Sequence, residues 1–127
     1  MSHHRRNEPM DLNRVQLTGR LDGEPQLWSV GDHPVATLRL ASVRSWRAAD
    51  GQVRRETDWY RLTAWEALAE WCGRCLHVGD RLYAEGQLRL TADGRHEILL
   101  DRLVLLARPT PPAASAAAAV AATRQAA

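Results

Sequence analysis

Trp71-Cys72-Gly73-Arg74-Cys75 is the first stretch of this 127-residue chain with the residue types and spacing for chemistry. Two thiols three positions apart can pass electrons through a disulfide, provided a helix N-terminus holds one of them as thiolate. The periodicity instead puts the pair at the end of a helix, where the dipole acts the other way. No Pro falls between Pro34 and Pro109 to face such a disulfide, and a helical stripe occupies the place of the strand that should precede it. Zinc is the next chemistry to weigh. Cys72, Cys75 and His77 supply three ligands, while His33 and His96 lie far off in predicted turns. Structural zinc asks for four. A nucleophilic Ser elbow, a phosphate-binding Gly loop and a dinucleotide fingerprint are missing, and the carboxylates form no obvious pair. No catalytic residue, no metal and no cofactor is expected, and the two cysteines are read as structural thiols.

The stretch Glu56-Thr57-Asp58-Trp59-Tyr60-Arg61-Leu62-Thr63-Ala64-Trp65 offers a different chemistry. A period of two puts Trp59, Arg61, Thr63 and Trp65 on one face and Tyr60, Leu62 and Ala64 on the other. Arg among indole rings makes a poor core face. It makes a good platform for bases, because indoles stack on flat rings while guanidinium takes phosphate. The competing reading has Trp59 and Trp65 roofing the core beneath the aliphatic stem of Arg61. Arg39 lies on the polar face of the preceding strand, and Arg44, Trp46, Arg47, Arg54 and Arg55 lie in and beside the connecting hairpin. Between positions 39 and 61, six Arg stand against Asp50, Glu56 and Asp58, a local net of +3 in a chain whose total is +2. Basic residues interleaved with Trp on one hairpin are the footprint of a single-stranded nucleic-acid binder. A solvated basic loop with an incidental Trp46 is the alternative.

Composition bears on both readings. All 17 basic residues are Arg, whose planar fork grips phosphate and stacks on bases, although a GC-rich coding sequence also favours Arg over Lys. There are five Trp and no Phe, and Trp needs either a large core or a flat ligand. Apolar runs are too short for a transmembrane helix, and no secretory leader is apparent, so a cytoplasmic location is expected.

Strands must carry these residues. Alternation marks strands at 13–21, 26–30, 35–43, 56–64, 82–90 and 96–107, and Gly19 suggests a bulge or bend in the first. Asp50-Gly51 and Asp93-Gly94 mark hairpin tips. Trp65, Leu68, Ala69 and Cys72 form a helical stripe over 65–76, ended near Gly79. Taken as five barrel strands with one short helix between strands 3 and 4, this is an all-β OB-fold barrel. Residues 1–11 read as a flexible arm, 12–108 as the OB-fold domain, and 109–127 as a Pro/Ala-rich disordered tail.

In this order the blocks resemble bacterial single-stranded DNA-binding proteins. Asn13-Arg14-Val15-Gln16-Leu17-Thr18-Gly19-Arg20-Leu21 resembles their opening strand, and Ser45-Trp46-Arg47, Glu56-Thr57-Asp58-Trp59-Tyr60-Arg61 and Val78-Gly79-Asp80-Arg81-Leu82-Tyr83-Ala84-Glu85-Gly86-Gln87-Leu88-Arg89 follow in turn. The resemblance implies an OB-fold, commonly a homotetramer, that binds single-stranded DNA without sequence preference in replication, recombination and repair, near the nucleoid and without catalysis. It implies stacking at Trp46, Trp59 and Trp65 and phosphate contacts at Arg14, Arg61 and Arg89. The chain departs from the family at 90–95, a short turn where a long hairpin with another Trp is usual. It also ends without the family's acidic tip, so recruitment of replication and repair proteins through that tip is not expected. Those departures keep open a primosome-type accessory protein, which would bind single-stranded DNA and a helicase. A thioredoxin-like protein acting through Cys72 and Cys75 is the more distant alternative. A tetramer is expected ahead of a dimer, burying the Tyr60, Leu62, Ala64 face and the edge of the first strand.

Overall fold

Alternating apolar and polar side chains build six strands in the computed structural model, which describes residues 9–109. They are β1 (Val15–Leu21), β2 (Gln26–Val30), β3 (His33–Arg47), β4 (Val53–Trp65), β5 (Arg81–Leu90) and β6 (His96–Ala107), with helix α1 (Glu66–Cys75) between β4 and β5. β1 pairs with β5, β5 with β6, β6 with β4 and β4 with β3, and β3 returns to β1. Five strands thus close a ring, the architecture of an OB-fold barrel. The parallel pair is β4 with β6.

The sixth strand, β2, pairs with β3 alone and lies outside the ring. The helix therefore falls between the fourth and fifth strands of the chain, not between the third and fourth as expected. A count of five leaves out β2. All of its five residues are exposed, so it bounds no core. β3 and β4 also run further than expected, because the Asp50-Gly51 tip is tight. Ala48 N–H donates to the Gln52 carbonyl at 2.8 Å and Gly51 N–H to the Ala48 carbonyl at 2.9 Å. Beyond Ala41, β3 pairs only with β4, so the expected basic loop is a two-stranded hairpin leaving the barrel.

With no Phe in the chain, Leu fills the interior. Leu21, Leu38, Leu40, Leu62, Leu82, Ile98 and Leu100 line it, and Ala69, Cys72 and Leu76 contribute from the helical segment. Trp65 is the last residue of β4 and the helix N-cap, not a member of the buried helical stripe. The helix stops at Cys75 with Leu76 as its C-cap, so Gly79 belongs to the following turn. Gly19 makes no bulge. It sits in continuous register opposite Leu82, and a Cβ there would come within 2.5 Å of the Ala41 carbonyl oxygen. The residue lets β1 cross β3 at backbone contact. The register slips instead between β5 and β6, at Arg81/Leu82 and at Glu85/Gly86.

Leu62 and Ala64 are fully buried and Tyr60 packs on the same core, so the face expected to meet another subunit is the inner wall of the barrel. Alternation alone tells two faces apart without telling which is inside. Apart from Pro9–Asp11 and Pro109, the expected arm (1–11) and tail (109–127) lie outside the described residues, as does the chain end on which the acidic tip was judged. Among the described residues, no helix is long and apolar enough to cross a membrane.

Candidate nucleic-acid interface

Burying Leu62 and Ala64 turns the alternate residues of β4 outward. Trp59 is 52% and Trp65 39% exposed, so both stand on the outer surface of the barrel. Thr63 lies between them but is buried, its hydroxyl donating to Glu97 at 3.0 Å. Register extends this face across the sheet, because residues directly opposite one another project to the same side. Arg39 stands opposite Arg61, Ala41 opposite Trp59, and Val35 opposite Trp65. Six residues of strand put Trp59 and Trp65 roughly 20 Å apart, with Arg61 between them.

The row through Trp65 holds a residue that the sequence reading missed. Trp28 on β2 stands opposite Val35, so Val35 is flanked by two indoles and is fully buried beneath them. Trp28 is itself 50% exposed and its indole N–H donates to Thr37 Oγ1 at 3.2 Å. The period of β2 placed Gln26, Trp28 and Val30 together, but nothing local tied that face to Trp65. Glu66 sharpens the same corner. It follows Trp65 at φ +60, in the left-handed region, and its carboxylate meets His33 Nδ1 at 2.5 Å. The kink turns the chain into α1 and leaves Trp65 on the sheet. Such a conformation costs a non-Gly residue about 1–2 kcal/mol.

The next row is charged. Arg39 Nε lies 3.4 Å from Asp22, and Arg61 Nε lies 3.5 Å from Glu97. Arg89 stands directly opposite Glu97 on β5. Two of the expected phosphate contacts, Arg61 and Arg89, therefore flank one carboxylate that the sequence reading did not single out, while Arg39 pairs with Asp22. The Arg39 guanidinium also covers one side of the Trp59 ring, 5.2 Å from its centroid. A groove of about 490 Å³ runs here, lined by Arg39, Arg61, Trp59, Thr37, Asp22 and neighbouring residues.

The hairpin divides the remaining candidates. Trp46 stands opposite Arg54, and Arg44 opposite Glu56, on the side away from Trp59. The carboxylates gather there too. Arg44 binds Asp58 at 2.9 Å and Glu56 at 3.2 Å, and Arg54 binds Asp50 at 3.1 Å. The Asp58 hydrogen bond, then the Glu56 charge, raise the Arg44 pKa above its ordinary value. Arg44 lies 4.9 Å from the Trp46 ring centroid, leaving the other side of the indole to solvent. Arg55 shares the Trp59 side and has no carboxylate within 4 Å among the described residues. Arg47 points to the tip, where it donates to the Gly51 carbonyl at 2.9 Å. Hairpin acidity is thus concentrated on the Trp46 side and at the tip, and basicity without carboxylate partners lies on the Trp59 side.

Arg14 stands apart, just before β1, bound to the Glu85 carboxylate that Tyr83 also bonds at 2.6 Å. The β5–β6 hairpin closes over Thr91–Arg95, with Thr91 N–H donating to the Arg95 carbonyl at 2.7 Å, and no aromatic occurs from 84 to 107. Cys72 and Cys75 are free thiols in the last turn of α1. Burial, then the neighbouring Cys75, push the Cys72 thiol up to about 11, the opposite of an attacking thiolate. Among the described residues, no three His, Cys, Asp or Glu side chains are grouped to hold a metal ion.

Residues 12–96 match the model of the single-strand binding protein family. Similar solved structures include a Plasmodium falciparum SSB in complex with ssDNA, at 26% identity and a TM-score of 0.70, covering 79% of this chain and 99% of that one. A small single-stranded DNA-binding protein from Streptomyces coelicolor matches at 19% identity and a TM-score of 0.66, covering 77% of this chain and 96% of that one. A deletion mutant of the single-stranded DNA-binding protein from Thermus aquaticus matches at 24% identity and a TM-score of 0.67, covering 76% of this chain but 51% of that one. At those two identities the likeness is one of fold.

Proposed function

This chain belongs to the single-strand binding protein family, and from that premise we propose that it binds single-stranded DNA without sequence preference, by stacking bases on Trp and holding phosphates with Arg. The observation that carries this reading is the outer face on which Trp59, Trp65 and Trp28 stand exposed around the Arg39 and Arg61 row. Splayed bases can lie on those rings, while a duplex keeps its bases stacked on one another. The protein acts as a coat in replication, recombination and repair, in the cytoplasm at the nucleoid, and performs no catalysis of its own. The DNA-binding domain is 12–108. Trp46, Arg44 and Arg54 serve on the far side of the hairpin and Arg47 at its tip. Arg14 contributes once phosphate competes with Glu85.

The protein works as a homo-oligomer, a tetramer first and a dimer second. Its support is β1. That strand pairs with β5 along its length but with β3 only at Arg20 and Leu21, so one edge of 15–19 is left without a strand among the described residues. A second copy paired there removes an open edge. Light scattering at micromolar concentration tests this, and a monomer overturns it.

Titration of the intrinsic Trp fluorescence with poly(dT), repeated with duplex DNA at the same salt, tests the binding itself. Quenching that saturates with poly(dT) and is far weaker with duplex is the expected result. Equal affinity for the two would refute stacking as the mode.

A further inference from the structure

A second groove, of about 510 Å³, lies on the same outer surface beyond Trp59, and Arg20, Arg55 and Arg81 stand around it. None of the three has a carboxylate within 4 Å among the described residues, unlike Arg39 and Arg61. Arg20 is directly opposite Arg81 on β5 and opposite Ala41 on β3, and Ala41 is opposite Trp59. One cross-strand row therefore reads Trp59, Ala41, Arg20, Arg81, and spans three strand spacings, about 14 Å. Two like charges directly opposite each other destabilise a sheet unless an anion lies between them. The rest of the lining is hydroxyl-bearing, small or aliphatic, with Thr18, Ser42, Ser45, Thr57 and Val43 in it, and none of the described lining residues is aromatic.

We propose that this groove is a backbone track, which takes the phosphodiesters of the single strand after its bases leave Trp59. The claim rests on the single-stranded DNA reading above and adds a path to it. Chemistry divides the surface. The Trp face, whose arginines already have carboxylates, stacks bases, and the Arg20–Arg81 groove, with no ring, takes charge alone. A base finds no ring to lie on there, while a phosphate meets two guanidinium forks from adjacent strands and a third from the hairpin.

The test uses the full chain and its Arg20→Gln/Arg81→Gln variant, with Arg55→Gln as a second variant on the exposed hairpin. Each is titrated with an oligothymidylate of about 8 nucleotides, within the reach of one OB fold, and one of about 30. Two phosphates lost should flatten the log–log salt dependence for the long strand by about 1.4, and one by about 0.7. From 50 to 200 mM salt, the parent's affinity for the long strand should then fall about sevenfold more than that of the double variant. Short-strand affinity of the Arg20→Gln/Arg81→Gln variant should stay at the parental value. A long-strand slope equal to the parent's in both variants overturns the track while leaving base stacking intact. A changed mass by light scattering overturns it differently, by showing that a second copy of the chain fills the groove. A parent that binds neither oligonucleotide refutes the underlying reading instead.

Discussion

Replacing Glu97 with Gln should strengthen single-stranded DNA binding, although the substitution removes an ion pair and adds no contact. Glu97 stands between Arg61, at 3.5 Å, and Arg89, its direct partner on β5. A phosphate held by Arg61 would lie roughly 6 Å from that carboxylate. Two like charges at that distance repel by about 0.7 kcal/mol at the dielectric of water and by about 2.8 kcal/mol at an effective dielectric of 20. The Glu97 side chain is mostly covered while that of Arg61 is 58% exposed, so the relevant value lies between the two limits. About 1–2 kcal/mol corresponds to a roughly five- to thirtyfold gain in affinity. Folding should change little. An ion pair at 3.5 Å with a solvent-exposed Arg partner contributes about 1 kcal/mol, and the amide oxygen of Gln still accepts the Thr63 hydroxyl. Fluorescence titration with poly(dT) at low and moderate salt, paired with a thermal melt, reads both quantities. Unchanged or weaker affinity in a normally folded Glu97→Gln protein would show that phosphate does not approach Arg61 and Arg89, and would refute the charged row as part of the interface.

Trp59→Ala should lower single-strand affinity by about 1–3 kcal/mol, the range for one stacked base, and leave the salt slope unchanged. Arg61→Ala should reduce that slope by about 0.7. A Trp59→Ala protein that binds normally but loses the roughly 3–5 kcal/mol of a core truncation would contradict the platform. Trp28→Ala should weaken binding and also uncover Val35, so a drop in melting temperature should accompany the loss; full retention of affinity would remove Trp28 from the interface. Burial holds the Cys72 thiol at about 11, above the ordinary value of about 8.5. The fold thus favours the neutral thiol, and that stabilisation is complete below about pH 8.5 and drains away as pH rises toward 11. At pH 8, iodoacetamide should label Cys75 in the native protein and Cys72 only after unfolding; rapid native labelling of Cys72 would show the site is open. Glu66→Gly should be neutral or mildly stabilising, because relief of the φ +60 strain offsets the lost His33 contact, and a clear fall in melting temperature would locate the missing energy in that contact.

What the sequence determined by itself was local. Alternation along β4 separated Trp59, Arg61 and Trp65 from Leu62 and Ala64, and Asp50-Gly51 and Asp93-Gly94 located two hairpins, because these depend on neighbours a few residues apart. It also placed Cys72 and Cys75 at the wrong end of a helix for redox work. Ring closure decided the rest. Which face of β4 is inside depends on β6 and β3 packing against it, and so the surface expected between subunits became the core. Trp28 joins Trp65, Glu97 enters the Arg39 and Arg61 row, and Arg20 meets Arg81 only through register between strands distant in the chain. Trp46 and Trp59 belong to one basic stretch in sequence, yet the pleat sends them to opposite sides of the hairpin and its turn leaves all three acids away from the Trp59 side. A period of two fixes the parity of a side chain within its own strand. Its companions on neighbouring strands are set by pairing register, and only the closed barrel fixes that.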